Sequence, residues 1–172
     1  MQLTYRNEPD VAFPGMLADS MFKRTVSRAV GSETPILPGV FVAEDVDGKV
    51  FPMGTADTVY SGVAQHDHTL VGRPNILAGG AVGTNRVTPV WQQTEPMSVL
   101  QRGAIWVLLA TGATLTNNQP VSVLTSGAQT GYAIQGGAAN SSVVPNAQTR
   151  SKPFTLADGR RIIQVELHAG NA

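Results

Sequence analysis

The tetrad Gln65-His66-Asp67-His68 is the densest grouping of chemistry-bearing side chains in the sequence. At the two-residue period of a strand, His66 and His68 share one face and Asp67 points away. Two imidazoles so placed suit zinc, or one of them can act as the general base of a small hydrolase. Zinc takes three or four protein ligands, and the only other histidine is His168. Cysteine is absent, which excludes zinc–thiolate sites, cysteine nucleophiles and disulfide scaffolds. Spacing supplies no serine or carboxylate partner for either imidazole. The expectation is no metal, no cofactor and no catalysis, with both histidines on the solvated or intersubunit face of a strand.

Other motifs fail on their physical requirements. No G-x-x-x-x-G-K-[ST] phosphate loop and no G-x-S-x-G nucleophile elbow occurs. Gly79-Gly80-Ala81-Val82-Gly83 lacks the following amphipathic helix that a phosphate cradle needs, and reads as a loop. Asp45-Val46-Asp47-Gly48 resembles a fragment of a calcium loop without its closing Glu, so it reads as a turn. Trp91, Trp106 and Tyr132 are the aromatics that can act as sugar-stacking platforms; Trp106 lies inside the apolar run Ala104–Ala110 and reads as core, which leaves Trp91 as the best candidate. That run is too short to cross a bilayer and reads as a buried strand.

The elements that would position these residues are strands and turns. Gly 18 and Pro 11 in 172 residues disfavour long helices. Val40–Ala43, Asp47-Gly48 and Lys49–Phe51 predict a hairpin, since Asp-Gly supplies the positive φ of a tight turn. Val59–Ala64 is a further strand. Met97–Leu100, a turn at Gln101–Gly103, and Ile105–Leu109 predict a second hairpin. Val121–Leu124 and Tyr132–Ile134 are shorter strands, and Asp158-Gly159 turns into the alternating Ile162–Leu167. Ser98-Val-Leu-x-x-Gly103-Ala104 recurs as Ser122-Val-Leu-x-x-Gly127-Ala128, one echo that supports successive hairpins. A turn or two of helix can form over Pro14–Phe22. The expected fold is mainly β: a single compact sandwich or barrel-like domain over residues 31–172, with little helix. Its expected core includes Val99, Ile105, Trp106, Val107, Val165 and Leu167. Residues 1–30 read as an extended arm leading into a first strand at Arg24–Arg28, or alternatively as an ordinary edge strand.

Charge placement adds more than its total. Lys plus Arg is 12 and Asp plus Glu is 12, so no net field draws the chain to nucleic acid or an anionic membrane. Charged residues make up 14% of the chain, against about 25% in ordinary domains. Residues 31–60 carry a local balance of −4, and residues 148–172 one of +2. Between them, the 47 residues from Gly103 to Thr149 contain no Asp, Glu, Lys, Arg or His. Interface cores are depleted in charge, so this stretch points to cover by another subunit and to a closed homo-oligomer. A set of polar loops around buried strands is the plainer reading. No apolar targeting segment opens the chain.

Several blocks together resemble a known family. Asp10–Ser20 with its Phe13-Pro14-Gly15, Arg24–Arg28, Ile36–Val42, Ser61–Ala64 with histidines just after, Met97–Val107 with Gly103-Ala104-Ile105-Trp106-Val107, and Gln164–Leu167 are similar in order and spacing to the capsid cement, or decoration, proteins of tailed bacteriophages. The similarity runs over roughly residues 10–167. It implies a β domain on the outer surface of the phage head, made in the host cytoplasm, that clamps neighbouring major capsid proteins. It implies no catalytic residues. It also implies that the arm makes capsid contacts, through Leu3, Tyr5, Arg6, Val11, Phe13, Pro14, Gly15 and Met16. The rival class is a receptor- or glycan-binding β-sandwich of a virion or cell surface, for which Trp91 is the candidate platform.

Overall fold

The structure, a computed structural model, describes residues 12–54, 59–67, 74–76, 82–85 and 89–168. Among them there are strands and turns and no helix. Strands β1 (Leu17–Val30), β2 (Phe41–Glu44), β3 (Lys49–Pro52), β4 (Val59–Ala64) and β7 (Pro96–Leu108) form one half of the molecule. Strands β8 (Pro120–Leu124), β9 (Ala133–Ile134), β10 (Ser141–Thr149), β11 (Phe154–Thr155) and β12 (Arg161–Leu167) form the other. Between β4 and β7, β5 (Pro74–Ile76) and β6 (Val82–Asn85) pair as a separate two-stranded sheet. The glycine-rich run at 79–81 lies outside the described residues, and Val82-Gly83 belongs to β6.

The first half closes on itself. The order β1-β3-β2-β4-β7 is completed by antiparallel pairing of β1 back onto β7, giving a barrel. Every ladder in it is antiparallel except β1–β3, where Ala29 and Val30 face Lys49 and Val50. The expected β2–β3 hairpin is present. Asp45 Oδ1 accepts from the amides of Asp47 at 3.0 Å and Lys49 at 2.8 Å, and Gly48 takes φ 77°. At Gly62 on β4 a Cβ would lie 2.2 Å from the Leu100 carbonyl oxygen, so only glycine lets β4 and β7 approach this closely.

The second half grows from the same long strand. β7 pairs with β12, β12 with β10, β10 with β8, and β8 with β9; β11 flanks β12. The expected hairpin over 97–109 is therefore corrected: β7 is continuous, and Arg102 stays in the ladder opposite Arg24. What happens at Gly103 is a bulge. Residues 20–23 of β1 sit between the Asp19–Ala104 and Arg24–Arg102 pairs, and Gly103 takes φ 121° beneath them. The echo at Ser122–Ala128 differs in kind, because Gly127 lies in the turn after β8.

The bulge changes which face each β7 residue presents. Before it, Met97 and Val99 pack with Val30, Ile36, Val42 and Trp91, while Leu100 packs with Phe41 and Val63. After it, Ile105 and Val107 join the Phe41 cluster together with Val165 and Leu167, and Leu108 joins the Trp91 cluster. An irregularity in the ladder reverses the in-and-out alternation of everything beyond it. Five of the six expected core residues are buried: Val99, Ile105, Val107, Val165 and Leu167. Trp106 is the correction. It is half-buried at the margin of the Trp91 cluster, since Ile105 and Val107 on either side of it turn to the opposite face.

The N-terminal boundary also moves. β1 begins at Leu17 rather than at Arg24, and Leu17 already faces Ile105 of β7. Residues 17–30 are thus a wall of the barrel, and no helical turn forms over Pro14–Phe22.

Candidate functional site

Phe13-Pro14-Gly15-Met16 is a β-turn, with the Met16 amide donating to the Phe13 carbonyl at 3.1 Å. Proline in the second position and a positive-φ glycine in the third are the type II pattern, and Gly15 has φ 77°. The turn docks into the domain. The Gly15 amide donates to the Trp106 carbonyl at 2.7 Å, the Trp106 amide donates to Met16 at 3.0 Å, and the His66 amide donates to the Gly15 carbonyl at 2.8 Å. A Cβ on Gly15 would stand 2.6 Å from both the His66 nitrogen and Pro38 Cβ.

This settles two expectations about these residues. Pro14 and Gly15, expected as capsid contacts, are buried against their own domain and offer no surface to a partner. Phe13 stays 44% exposed, its ring 4.5 Å from that of His66 in an edge-on contact, and Met16 is half-buried. Leu3, Tyr5, Arg6 and Val11 lie outside the described residues, as does His68. His66, the described half of the histidine pair, spends its backbone and one ring face on holding the turn. Among the described residues no three His, Asp or Glu side chains converge as metal ligands.

The two tryptophans exchange their expected places. Trp91 is 1% exposed. Its backbone forms a two-way bridge with Ile36, both bonds 2.8 Å, and its Nε1 donates to the Gln65 carbonyl at 3.1 Å. A ring so enclosed cannot stack on a sugar, which removes the candidate platform of the glycan reading.

The remaining features are surfaces. The charge-free stretch contributes Leu109, Leu115, Val121, Val123 and Val144 to the larger core cluster. Its exposed positions, such as Thr114, Asn117, Pro120, Ser142, Val143 and Gln148, are uncharged without exception. Val143 on β10 is 65% exposed. An open cleft of about 390 Å³ lies between the β1 bulge and β12, lined by Phe22, Arg102, Arg150, Glu166 and His168 among others. Arg150 Nε bonds Glu166, and His168 Nδ1 stands 3.8 Å from the same carboxylate. Phe22 at 72% and Val46 at 98% exposure escaped sequence reading. Phe22 looked like part of a helix or arm, and Val46 like a member of a turn.

The chain matches the family model described as structural cement protein (E217 gp24/Pam3 gp6) over residues 1–168. Among solved structures it is similar to a chain of the capsid of Myoviridae phage XM1. The two are 18% identical with a TM-score of 0.69, and the match covers 98% of this chain and 97% of that one. No curated protein matches the chain.

Proposed function

The chain belongs to the structural cement protein family of phages, and on that premise we propose that it is a capsid cement, or decoration, protein. Its role is structural. It binds the outer surface of the head as a homo-oligomer, a trimer in preference to a dimer, and bridges adjacent major capsid proteins. The observation that carries this reading is the family match along nearly the whole chain, joined to the uncharged exposed surface of β8–β10. A surface without charge is cheap to take out of water, and a flat polar one presents many weak hydrogen-bonding groups.

The mechanism is adhesive. A protein that binds the assembled shell and not its separated subunits stabilises the shell by mass action. An oligomer that engages several shell subunits at once multiplies weak contacts through effective concentration. Residues 1–11 contribute a capsid-contacting segment, with Leu3, Tyr5, Arg6 and Val11 as its contacts and Phe13 exposed where the segment enters the domain.

Co-sedimentation with undecorated heads tests the proposal. Full-length protein is expected to pellet with expanded heads and to raise their melting temperature. A chain lacking residues 1–11 is expected to bind heads more weakly while its own melting temperature stays unchanged. Failure of the full-length protein to pellet with heads overturns the cement reading; equal binding by both chains overturns only the role of the N-terminal segment.

A further inference from the structure

The β1 bulge puts an apolar side chain where a strand would normally have none. Phe22 is 72% exposed, and the backbone of Phe22 and Lys23 runs beside Gly103. The cations around it are Lys23, Arg24 and Arg102, all exposed. Among the described residues none of the three forms an ion pair. Because residues 20–23 outnumber the partners facing them, backbone groups of the bulge are left outside the β1–β7 ladder.

A second surface has the opposite character. A groove of about 320 Å³ is lined by Glu44, Asp45, Val46, Val59, Tyr60 and Gln101. Val46 is 98% and Val59 75% exposed. Asp47 is exposed beside them. Tyr60 lines it from the side of the core, where its ring packs near Phe41. Single exposed apolar residues are commonplace. Here two of them and an acidic rim converge on one groove.

We propose that the Phe22 bulge of one copy of this chain seats in the Val46–Val59 groove of a second copy. The inference deepens the homo-oligomer part of the function proposed above and rests on it. The charges are complementary: Lys23, Arg24 and Arg102 on one surface face Asp45 and Asp47 on the other, Glu44 being already bridged to Arg28. The apolar parts match as well, since the Phe22 ring lies between the two valines. Two different surfaces meeting in this way make a heterologous contact, which closes into a ring when the rotation allows. Paired charges at its rim set orientation and make the association weaken with salt.

The test is light scattering on size-exclusion peaks, without heads present. Wild type, Phe22→Asp and Val46→Asp/Val59→Asp are measured alone, and the two variants are then mixed one to one. Wild type is expected to be oligomeric. Each variant alone is expected to self-associate at least roughly thirtyfold more weakly, the scale of losing one interface anchor. The mixture is expected to give a dimer, because each variant keeps the surface the other has lost. A monomeric wild type, variants of wild-type mass, or a mixture that stays monomeric each overturns the proposal. A melt of each variant checks folding. Should Phe22→Asp fail to fold, Arg24→Glu/Arg102→Glu must weaken association, and Asp47→Lys must restore it in part; without that rescue the contact is wrong. Head co-sedimentation of wild type is read separately. Self-association without head binding overturns the cement reading alone, and head binding by a monomer overturns the contact alone.

Discussion

The two halves of the molecule solve the same problem in different ways. In the barrel half, β1 returns to β7 and leaves no open edge, and charged side chains stand along its outer surface: Lys23, Arg24 and Arg28 on β1, Glu44 on β2, Lys49 on β3. Arg28 and Glu44 also bridge at 2.8 Å across it. In the wing, the sheet runs outward through β12, β10 and β8 to the two-residue β9, and no charge occurs between Gly103 and Thr149. The barrel pairs all of its own strand edges. The wing guards its edge by keeping the last strand short, a known device, and leaves its uncharged surface for something else to cover.

The largest expected effect lies where the comparison touches the core. Trp91→Ala empties an enclosed site on the barrel side and is expected to cost roughly 3–5 kcal/mol of unfolding free energy. Trp106→Ala, on the half-exposed side of the shared strand, is expected to cost about 1–2 kcal/mol, in proportion to the smaller area it buries. Denaturant melts of both variants check this. A reversed order would return Trp106 to the centre of the core.

Next in size is the clasp that ties the N-terminal turn to β7 and to the end of β4. Gly15→Ala meets a positive φ and two contacts at 2.6 Å, so about 2–3 kcal/mol of stability is expected to be lost. A variant of unchanged melting temperature would mean that the turn is dispensable to the fold, and that the domain starts only at β1.

The wing itself is expected to tolerate charge in isolation and not in the assembly. Val143→Glu on exposed β10 should change stability by no more than about 0.5 kcal/mol, yet weaken head binding at least roughly tenfold, since an unpaired charge is buried on contact. Lys49→Glu on the barrel serves as the contrast and is expected to leave head binding within about twofold, as rim charges usually do. Equal losses for the two would erase the distinction between the halves.

The smallest effect is electrostatic. Hydrogen bonds from the Arg160 side chain and backbone hold the Asp158 carboxyl below its ordinary value. A depressed folded pKa gives stability that is present above the unfolded pKa and is lost as pH falls through the folded one. Asp158 is well exposed, so solvent screens the pair. Asp158→Asn is expected to flatten the acid limb of a stability-versus-pH curve slightly and to leave the neutral plateau in place, measurable by melts across the acid range.

Much of the strand pattern was legible because it rests on local chemistry. Asp45–Lys49 forms its turn with its own backbone, β4 spans Val59–Ala64 as the apolar run indicates, and Asp158-Gly159 leads into the alternating β12. Local reading failed where the cause is remote in sequence. Gly103 looked like a hairpin turn because a positive-φ glycine suits one, but the residues that make it a bulge are 20–23, on another strand. The displacement of Trp106 from the core follows from that event, since alternation counted from Val99 puts Val107 on the same face as Val99. Of the candidate site, the turn chemistry of Pro14-Gly15 was visible and its destination was not.

By itself the sequence determined a mainly β chain, most of its turn positions and core residues, the uncharged stretch and the kinship to cement proteins. All of these depend on residue identity and on neighbours a few positions away. Only the tertiary structure decided that β1 closes a barrel, that Phe13–Met16 is a clasp, and which faces of β7 are inside. These depend on pairing between segments some ninety residues apart (Leu17 with Ile105, Gly15 with Trp106). Register between distant strands is set by the joint packing of both, and neither strand carries it alone.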